Sequence, residues 1–271
     1  MIKILTIVGA RPQFVKASAI SRAIIQKFSE KIHEVIVHTG QHYDDNMSSL
    51  FFNDLDIPIP KYNLGISGGN HGFMTGNMII EIEKVLLNEK PNLVLLYGDT
   101  NSTLAGAISA SKLNIKIAHV EAGLRSFNLE MPEELNRILT DRVSSFLFCP
   151  TKSSVINLNN EGIRNGVFNV GDVMFDVATH VKNFSNNKSK FRDKNGLLNS
   201  NFILVTCHRA ENTNNTDKLI QILKSLHQLS KDYKIVFPIH PRTSKIVDNK
   251  NLKHFLKKLI VIEPLSYTEM I

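Results

Sequence analysis

From residue 3 onward the chain alternates strand-length apolar runs with helix-length amphipathic stretches, and that alternation restricts it to an α/β architecture. Apolar runs at 3–8, 34–38, 92–97, 116–120, 145–148 and 167–170 are separated by helical stretches at 12–27, 44–53, 72–89, 102–113, 132–144 and 151–161. Parallel strands need a crossover of about a dozen residues or more, and a helix supplies it. The pattern therefore predicts a parallel sheet with right-handed connections. Local signals agree. Pro12 and Pro132 suit the first turn of a helix, Thr151 suits an N-cap, and Pro91 breaks the chain after a long helix. Met74, Met78, Ile82 and Val85 recur at helical spacing and read as core.

A connecting helix at 171–181 and an Asn/Lys/Ser-rich surface segment at 183–201 separate this run from a second one. The second run has strands at 202–206, 234–238 and 259–263, with helices at 216–230 and 244–258. Two Rossmann-like domains with parallel sheets follow, over 1–170 and 171–271. Three strands are few for a sheet covered on both faces. The second domain is therefore expected to continue beyond Ile271, where another helix begins.

Composition narrows the function classes. No apolar run approaches the roughly 18 residues of a membrane helix, and Arg11 interrupts the only N-terminal apolar run. The first residues read as a strand, with no small-residue cleavage site after them. Cys149 and Cys207 have no metal-ligand spacing and read as free thiols of a reducing cytoplasm. The net charge is +7, and residues 176–271 hold 16 Lys/Arg against 8 Asp/Glu. An excess of that sign suits an anionic ligand. The basic residues are scattered without an aromatic platform, which argues against nucleic acid.

Chemistry concentrates at the strand ends. In an open parallel sheet the ligand crevice lies beyond the carboxyl ends of the strands. Asp99 follows one apolar run and Glu121 the next, and Glu133 and Glu134 open the helix after them. Each carboxylate also has a plainer reading. Asp99 suits an N-cap, and acids in a first helical turn favour the macrodipole. A charge placed directly after a buried strand is costly unless paired or used, which singles out Glu121. Gly9-Ala10-Arg11-Pro12 sits where a phosphate meets a helix N-terminus. It is neither GxGxxG nor a Walker loop. Arg11 and Lys16 would reach the crevice, and Gln41 and His42 follow the next strand on the same side. In the second domain Cys207-His208-Arg209 and His240-Pro241-Arg242 follow successive strands and would face an interdomain cleft.

As a set, these motifs resemble the non-hydrolysing UDP-N-acetylglucosamine 2-epimerases. The carriers are Gly9–Pro12 with Lys16, Gly40-Gln41-His42, Gly98-Asp99-Thr100 and His119-Val120-Glu121-Ala122-Gly123-Leu124-Arg125. Pro132-Glu133-Glu134 with Asn136-Arg137, His208-Arg209 with Glu211, and His240-Pro241 complete it. The resemblance implies a GT-B-like fold, a UDP-sugar substrate, a cytoplasmic homodimer, and neither metal nor redox cofactor. It implies acid/base roles for Asp99, Glu121 and Glu133, and a role for His208 in supporting the leaving phosphate or moving a proton. Arg11, Lys16, Gln41, His42, Arg137, Arg209 and His240 would hold the substrate. The loop 68–76, residues 126–131 and Thr100-Asn101-Ser102-Thr103 also resemble the branch acting on UDP-2,3-diacetamido-2,3-dideoxyglucuronate. A GT-B glycosyltransferase would share the basic second domain. It needs no base for a sugar C2 proton, so the converging carboxylates favour an epimerase.

Overall fold

The computed structural model describes residues 1–41, 57–185, 190–198, 200–265 and 267–270. The expected helix at 44–53 lies outside them. The chain divides into two compact units, Met1–Thr179 and His180–Ile271.

The first unit is a seven-stranded parallel sheet. Its strands are β1 (Ile2–Val8), β2 (Ile32–His38), β3 (Tyr62–Asn63), β4 (Leu93–Tyr97), β5 (Lys116–Val120), β6 (Phe146–Cys149) and β7 (Val167–Asn169). Their order is β3-β2-β1-β4-β5-β6-β7. The chain runs outward from β1 to one edge and returns through β4 to build the other. The switch point therefore lies between β1 and β4, which pair in parallel through Ile4–Leu93, Leu5–Val94 and Thr6–Leu95.

The helices follow the expected order: α1 (Arg11–Ala23), α2 (His71–Glu89), α3 (Asn101–Lys112), α4 (Pro132–Val143), α5 (Lys152–Asn160) and α6 (Val173–Ser185). Met78, Ile82 and Val85 of α2 pack on Leu5, Ile7, Val35, Val37, Val94, Leu96 and Ile117 of the central strands, with Met74 at the margin. Helix α3 lies close to the sheet because its inner face is small. A Cβ on Gly106 would lie 2.7 Å from Leu96 and 2.8 Å from Ile7.

The second unit holds a short helix α7 (Lys190–Lys194), β8 (Phe202–Leu204), α8 (Ala210–Thr213), α9 (Thr216–Leu229), β9 (Lys234–Pro238), α10 (Pro241–Asn249), β10 (Ile260–Ile262) and α11 (Tyr267–Met270). Its parallel sheet has the order β10-β9-β8. Leu219, Leu223, Leu226, Ile235, Phe237 and Val247 form its core.

Several local expectations need correction. The helix expected over 12–27 ends at Ala23 and continues as one π-helical turn, Ile24–Phe28. The single helix expected over 244–258 is α10 followed by a separate 3₁₀ turn, Lys253–Leu256. It starts earlier because the His240 side chain caps it and Pro241 occupies its first position. Asn251 then enters the left-handed region, φ +55°, which ends a right-handed helix. The two-residue edge strand β3 and the one-turn helix α8 are too short to leave a periodic signal.

Candidate active site

The crevice between β1 and β4 is stitched shut at its base by one side chain. Gln13, in the first turn of α1, accepts hydrogen bonds from the backbone N–H of Gly9 (2.8 Å) and Ala10 (3.0 Å). Its amide donates to the carbonyl of Tyr97 and to Thr103 Oγ1, both at 2.9 Å. The end of β1 is thereby tied to the end of β4 and the start of α3. Beside it, Thr39 Oγ1 meets Ser102 Oγ at 2.8 Å, and the Gln41 side-chain carbonyl accepts from that same Ser102 hydroxyl at 2.7 Å. Only glycine fits at position 9. A Cβ there would lie 2.1 Å from both Thr39 Oγ1 and Ser102 Oγ.

Two carboxylates stand above this base, each held by a cation. Glu121 follows β5 with its backbone in the left-handed region, φ +73°. Holding a non-glycine residue there costs on the order of 1–3 kcal/mol, and such strain gathers at functional sites. Its side chain forms an ion pair with Lys16 of α1, whose side chain is only 10% exposed. Gly98, also at positive φ, lets the Lys16 ammonium approach: a Cβ there would lie 3.1 Å from Nζ. Asp99 is not the cap of α3. Thr100 fills that role, accepting from the Thr103 N–H at 3.3 Å. The Asp99 carboxylate instead accepts from Arg137 at 2.6 Å, and its carbonyl accepts from Asn136 at 2.8 Å.

Arg137 also donates to Glu134 at 2.6 Å. Burial pushes the Glu134 carboxyl up, but N–H donors from Ser126 and Phe127 and the Arg137 charge hold it below the ordinary range. Burial would lower the Arg137 guanidinium, and the Asp99 and Glu134 charges raise it instead. Arg11 is lowered by burial at the crevice wall. Of the two glutamates opening α4, Glu134 turns inward and Glu133 lies on the exposed side.

In the second unit His208 and Arg209 are exposed just beyond β8, and His240 caps α10 beyond β9. The rings of His208 and His240 lie 5.8 Å apart. His240 Nδ1 accepts from the Arg242 N–H at 3.1 Å, so its proton sits on Nε2. Burial lowers its pKa, and the neighbouring His208 and Arg242 lower it further. His42 lies outside the described residues.

Sequence reasoning did not assign roles to Gln13, Glu134, Asn136, His119 or Asp141. The seating of α4 brings in three of them. Glu134, Asn136, Thr140 and Asp141 are buried there, while Leu135, Leu139 and Val143 are exposed. The helix is turned with its polar face inward, the reverse of an ordinary surface helix.

Cation-paired carboxylates beyond the strand ends of a parallel sheet, with a second parallel unit behind them in sequence, define a two-unit α/β enzyme of the GT-B-like kind. The family model described as UDP-N-acetylglucosamine 2-epimerase matches residues 26–271, and the chain belongs to that family of isomerases. It is 52% identical to a UDP-N-acetylglucosamine 2-epimerase homolog of Methanococcus maripaludis, across 99% of this chain and 75% of that one. It is also 52% identical to the UDP-2,3-diacetamido-2,3-dideoxy-D-glucuronate 2-epimerase of Pseudomonas aeruginosa, across 99% of this chain and 74% of that one. The crystal structure of Methanocaldococcus jannaschii UDP-GlcNAc 2-epimerase with UDP-GlcNAc and UDP superposes with a TM-score of 0.85 at 45% identity, covering 99% of this chain and 75% of that one.

Proposed function

We propose that the chain inverts C2 of a UDP-N-acetyl sugar, converting UDP-GlcNAc to UDP-ManNAc by eliminating and re-adding UDP through a 2-acetamidoglucal. The carrying observation is the cation pairing of two carboxylates at adjacent strand ends, Glu121 with Lys16 and Asp99 with Arg137. The C2 proton is not next to a carbonyl, so simple enolisation is not open to it. In the elimination a carboxylate takes the C2 proton, the electron pair forms the C1–C2 double bond, and the C1–O bond breaks to release UDP. In the return, a UDP oxygen attacks C1 and an acid delivers a proton to the opposite face of C2. The reaction needs one proton-transfer group for each face.

We assign that work to Asp99 and Glu121, with Glu133, exposed in the first turn of α4, kept as the third candidate. Arg11, Gln41, His42 and Arg137 are assigned to holding the substrate. Lys16 adds positive charge beside Glu121. His208, Arg209 and His240 supply donors for the diphosphate, with His208 supporting the leaving phosphate or transferring a proton. Fixed positive charge favours an anionic leaving group most as its charge develops. The 52% identity to the Pseudomonas aeruginosa enzyme favours a second reading, the same elimination on UDP-2,3-diacetamido-2,3-dideoxyglucuronate. Free, buried Cys149 and Cys207 fit a reducing compartment and the cytoplasm.

The partner is a second copy of the chain. The inverted face of α4 supports this: Leu135, Leu139 and Val143 form an exposed apolar stripe, flanked by exposed Phe127, Leu129 and Met131. Such patches mark association surfaces. Leu135→Glu with Leu139→Glu should convert a dimer to a monomer in analytical ultracentrifugation, and an unchanged mass would refute that surface.

Incubation with each UDP-sugar in heavy water, without an acceptor, tests the reaction. Deuterium should enter C2, and NMR reads which sugar exchanges. A glycosyltransferase leaves C2 protonated. Absence of exchange with both sugars would overturn the epimerase reading.

A further inference from the structure

Behind the two carboxylates lies a buried charged cluster to which the reaction above gives no role. Asp141, on the inward face of α4, is fully enclosed, and so is the His119 ring of β5. Asp141 Oδ1 meets His119 Nδ1 at 2.7 Å. Its Oδ2 accepts from the Gly123 N–H at 3.1 Å and from Arg125 Nη1 at 2.8 Å. The other ring nitrogen, His119 Nε2, donates to the Gly98 carbonyl at 2.7 Å. Arg125 is held in turn by two hydrogen bonds to Glu161, at 2.7 and 2.8 Å.

The bonds bracket the reactive residues. His119 and Gly123 stand two residues before and two after Glu121, and one carboxylate ties both down. Gly98 directly precedes Asp99, and its carbonyl is fixed by the same histidine. Its N–H donates to the Val120 carbonyl at 3.0 Å. The left-handed backbone of Glu121 is thus clamped on either side, and the peptide leading into Asp99 is fixed by the same group.

We propose that Asp141 is a positioning residue for the epimerase reaction, acting through His119, Gly123 and Gly98 to hold Glu121 and Asp99 at once. This inference rests on the proton-transfer roles assigned above to those two carboxylates.

The charges of the cluster follow from its donors. A carbonyl only accepts, so Nε2 carries a proton. Arg125 and the Gly123 N–H both donate to Oδ2, which favours Oδ1 as the acceptor of a ring N–H from Nδ1. The ring then donates from both nitrogens, to the Gly98 carbonyl and to Asp141, while Arg125 bridges Asp141 and Glu161. Facing the cluster are the Cys149 thiol at the end of β6, pushed up to about 11 by burial and by the Asp141 charge, and the Lys16–Glu121 pair beside Gly98. Burial raises the Asp141 carboxyl, but His119 and Arg125 hold it below its ordinary value.

Asp141→Asn and Asp141→Ser separate positioning from mere packing. Asparagine would keep its carbonyl toward Gly123 and Arg125 and turn its amide to His119, leaving a neutral ring that still donates to Gly98. Serine reaches none of the partners. With UDP-GlcNAc and UDP-2,3-diacetamido-2,3-dideoxyglucuronate as probes, the folded serine variant should lose kcat for C2 exchange by roughly 10- to 100-fold, as misplacement by about 1 Å does. KM and calorimetric UDP affinity should stay near wild type, and the asparagine variant should fall between. Nitrogen-15 spectra of the His119 ring should show both nitrogens protonated in wild type and one in Asp141→Asn.

Wild-type kcat in a folded Asp141→Ser variant, or a loss confined to KM, would overturn the proposal. If serine does not fold, the asparagine variant decides it in the same way. A wild-type chain that exchanges neither sugar would sink the epimerase reading instead. The clamp is then judged by the ring spectra and by amide exchange at Gly98 and Gly123. Unprotonated Nδ1 in wild type, or unchanged protection in the variants, would refute it.

Discussion

Glu121→Gln should damage this protein in two separable ways. Glutamine keeps the size of the side chain and one acceptor but removes the charge. Lys16 is then left without its anion in a site where its side chain is only 10% exposed and Glu121 is 22% exposed. Among the described residues the neighbouring strand-end carboxylate, Asp99, is already engaged by Arg137. Breaking a buried pair by removing one partner costs roughly 3–5 kcal/mol. Partial exposure of Glu121 puts this case near the lower end, about 3 kcal/mol by the same measure. At about 2–4 °C per kcal/mol for a chain of this size, the thermal midpoint should fall by about 6–12 °C. Lys16→Met combined with Glu121→Gln removes both charges and should recover most of that loss. Activity should not recover. Losing a general acid or base costs about 10²–10⁴-fold, or roughly 3–5 kcal/mol of barrier, in either variant. Circular dichroism melts and C2 deuterium exchange on the same preparations decide the matter. A single variant that melts with wild type would refute the pairing argument. A double variant that exchanges at the wild-type rate would refute the role of Glu121.

Gly9→Ala should lower stability by about 2–4 kcal/mol, combining overpacking with a broken buried hydrogen bond between Thr39 and Ser102; denaturant midpoints would show it, and an unchanged midpoint would contradict the cradle. Glu89 is buried among Lys61, Tyr62 and Lys3, whose hydrogen bonds hold its carboxyl down to about 2 from an ordinary 4.5. As pH falls, the unfolded chain takes up that proton first, so the stability is present above about pH 4.5 and is lost towards pH 2. Glu89→Gln should flatten the midpoint across that window. Cys149 and Cys207 are buried and their thiols raised by burial, so iodoacetamide at pH 8 should label neither until the chain unfolds; rapid labelling of the native chain would count against both placements. His208 is exposed, so His208→Ala should depress C2 exchange without moving the melt; an early melt with normal exchange would make it structural.

Much of the architecture follows from local pattern. Strand and helix alternate because apolar spacing of about two or four residues is written into each segment independently, and parallel order follows from the helices between strands. The positions of Asp99 and Glu121 at strand ends were legible for the same reason, since Glu121 directly follows one apolar run and Asp99 lies one glycine beyond another. The sequence could also show that the second half carries the excess of positive charge. What it could not show is which side chains meet. Lys16 reads from sequence as a ligand for phosphate, and the fold makes it the partner of Glu121. Glu133 and Glu134 are indistinguishable as neighbours opening a helix, and only the seating of α4 turns Glu134 to Arg137 and leaves Glu133 outside. Asp141 carries no motif signal, and only the seating of α4 with its polar face inward brings it to His119 and Arg125. These pairings depend on the order β3-β2-β1-β4-β5-β6-β7, which brings the ends of β1, β4 and β5 together. Periodicity reports the environment of a segment along its own axis, whereas contact across a sheet is a property of how strands are ordered, and only the folded chain decides that.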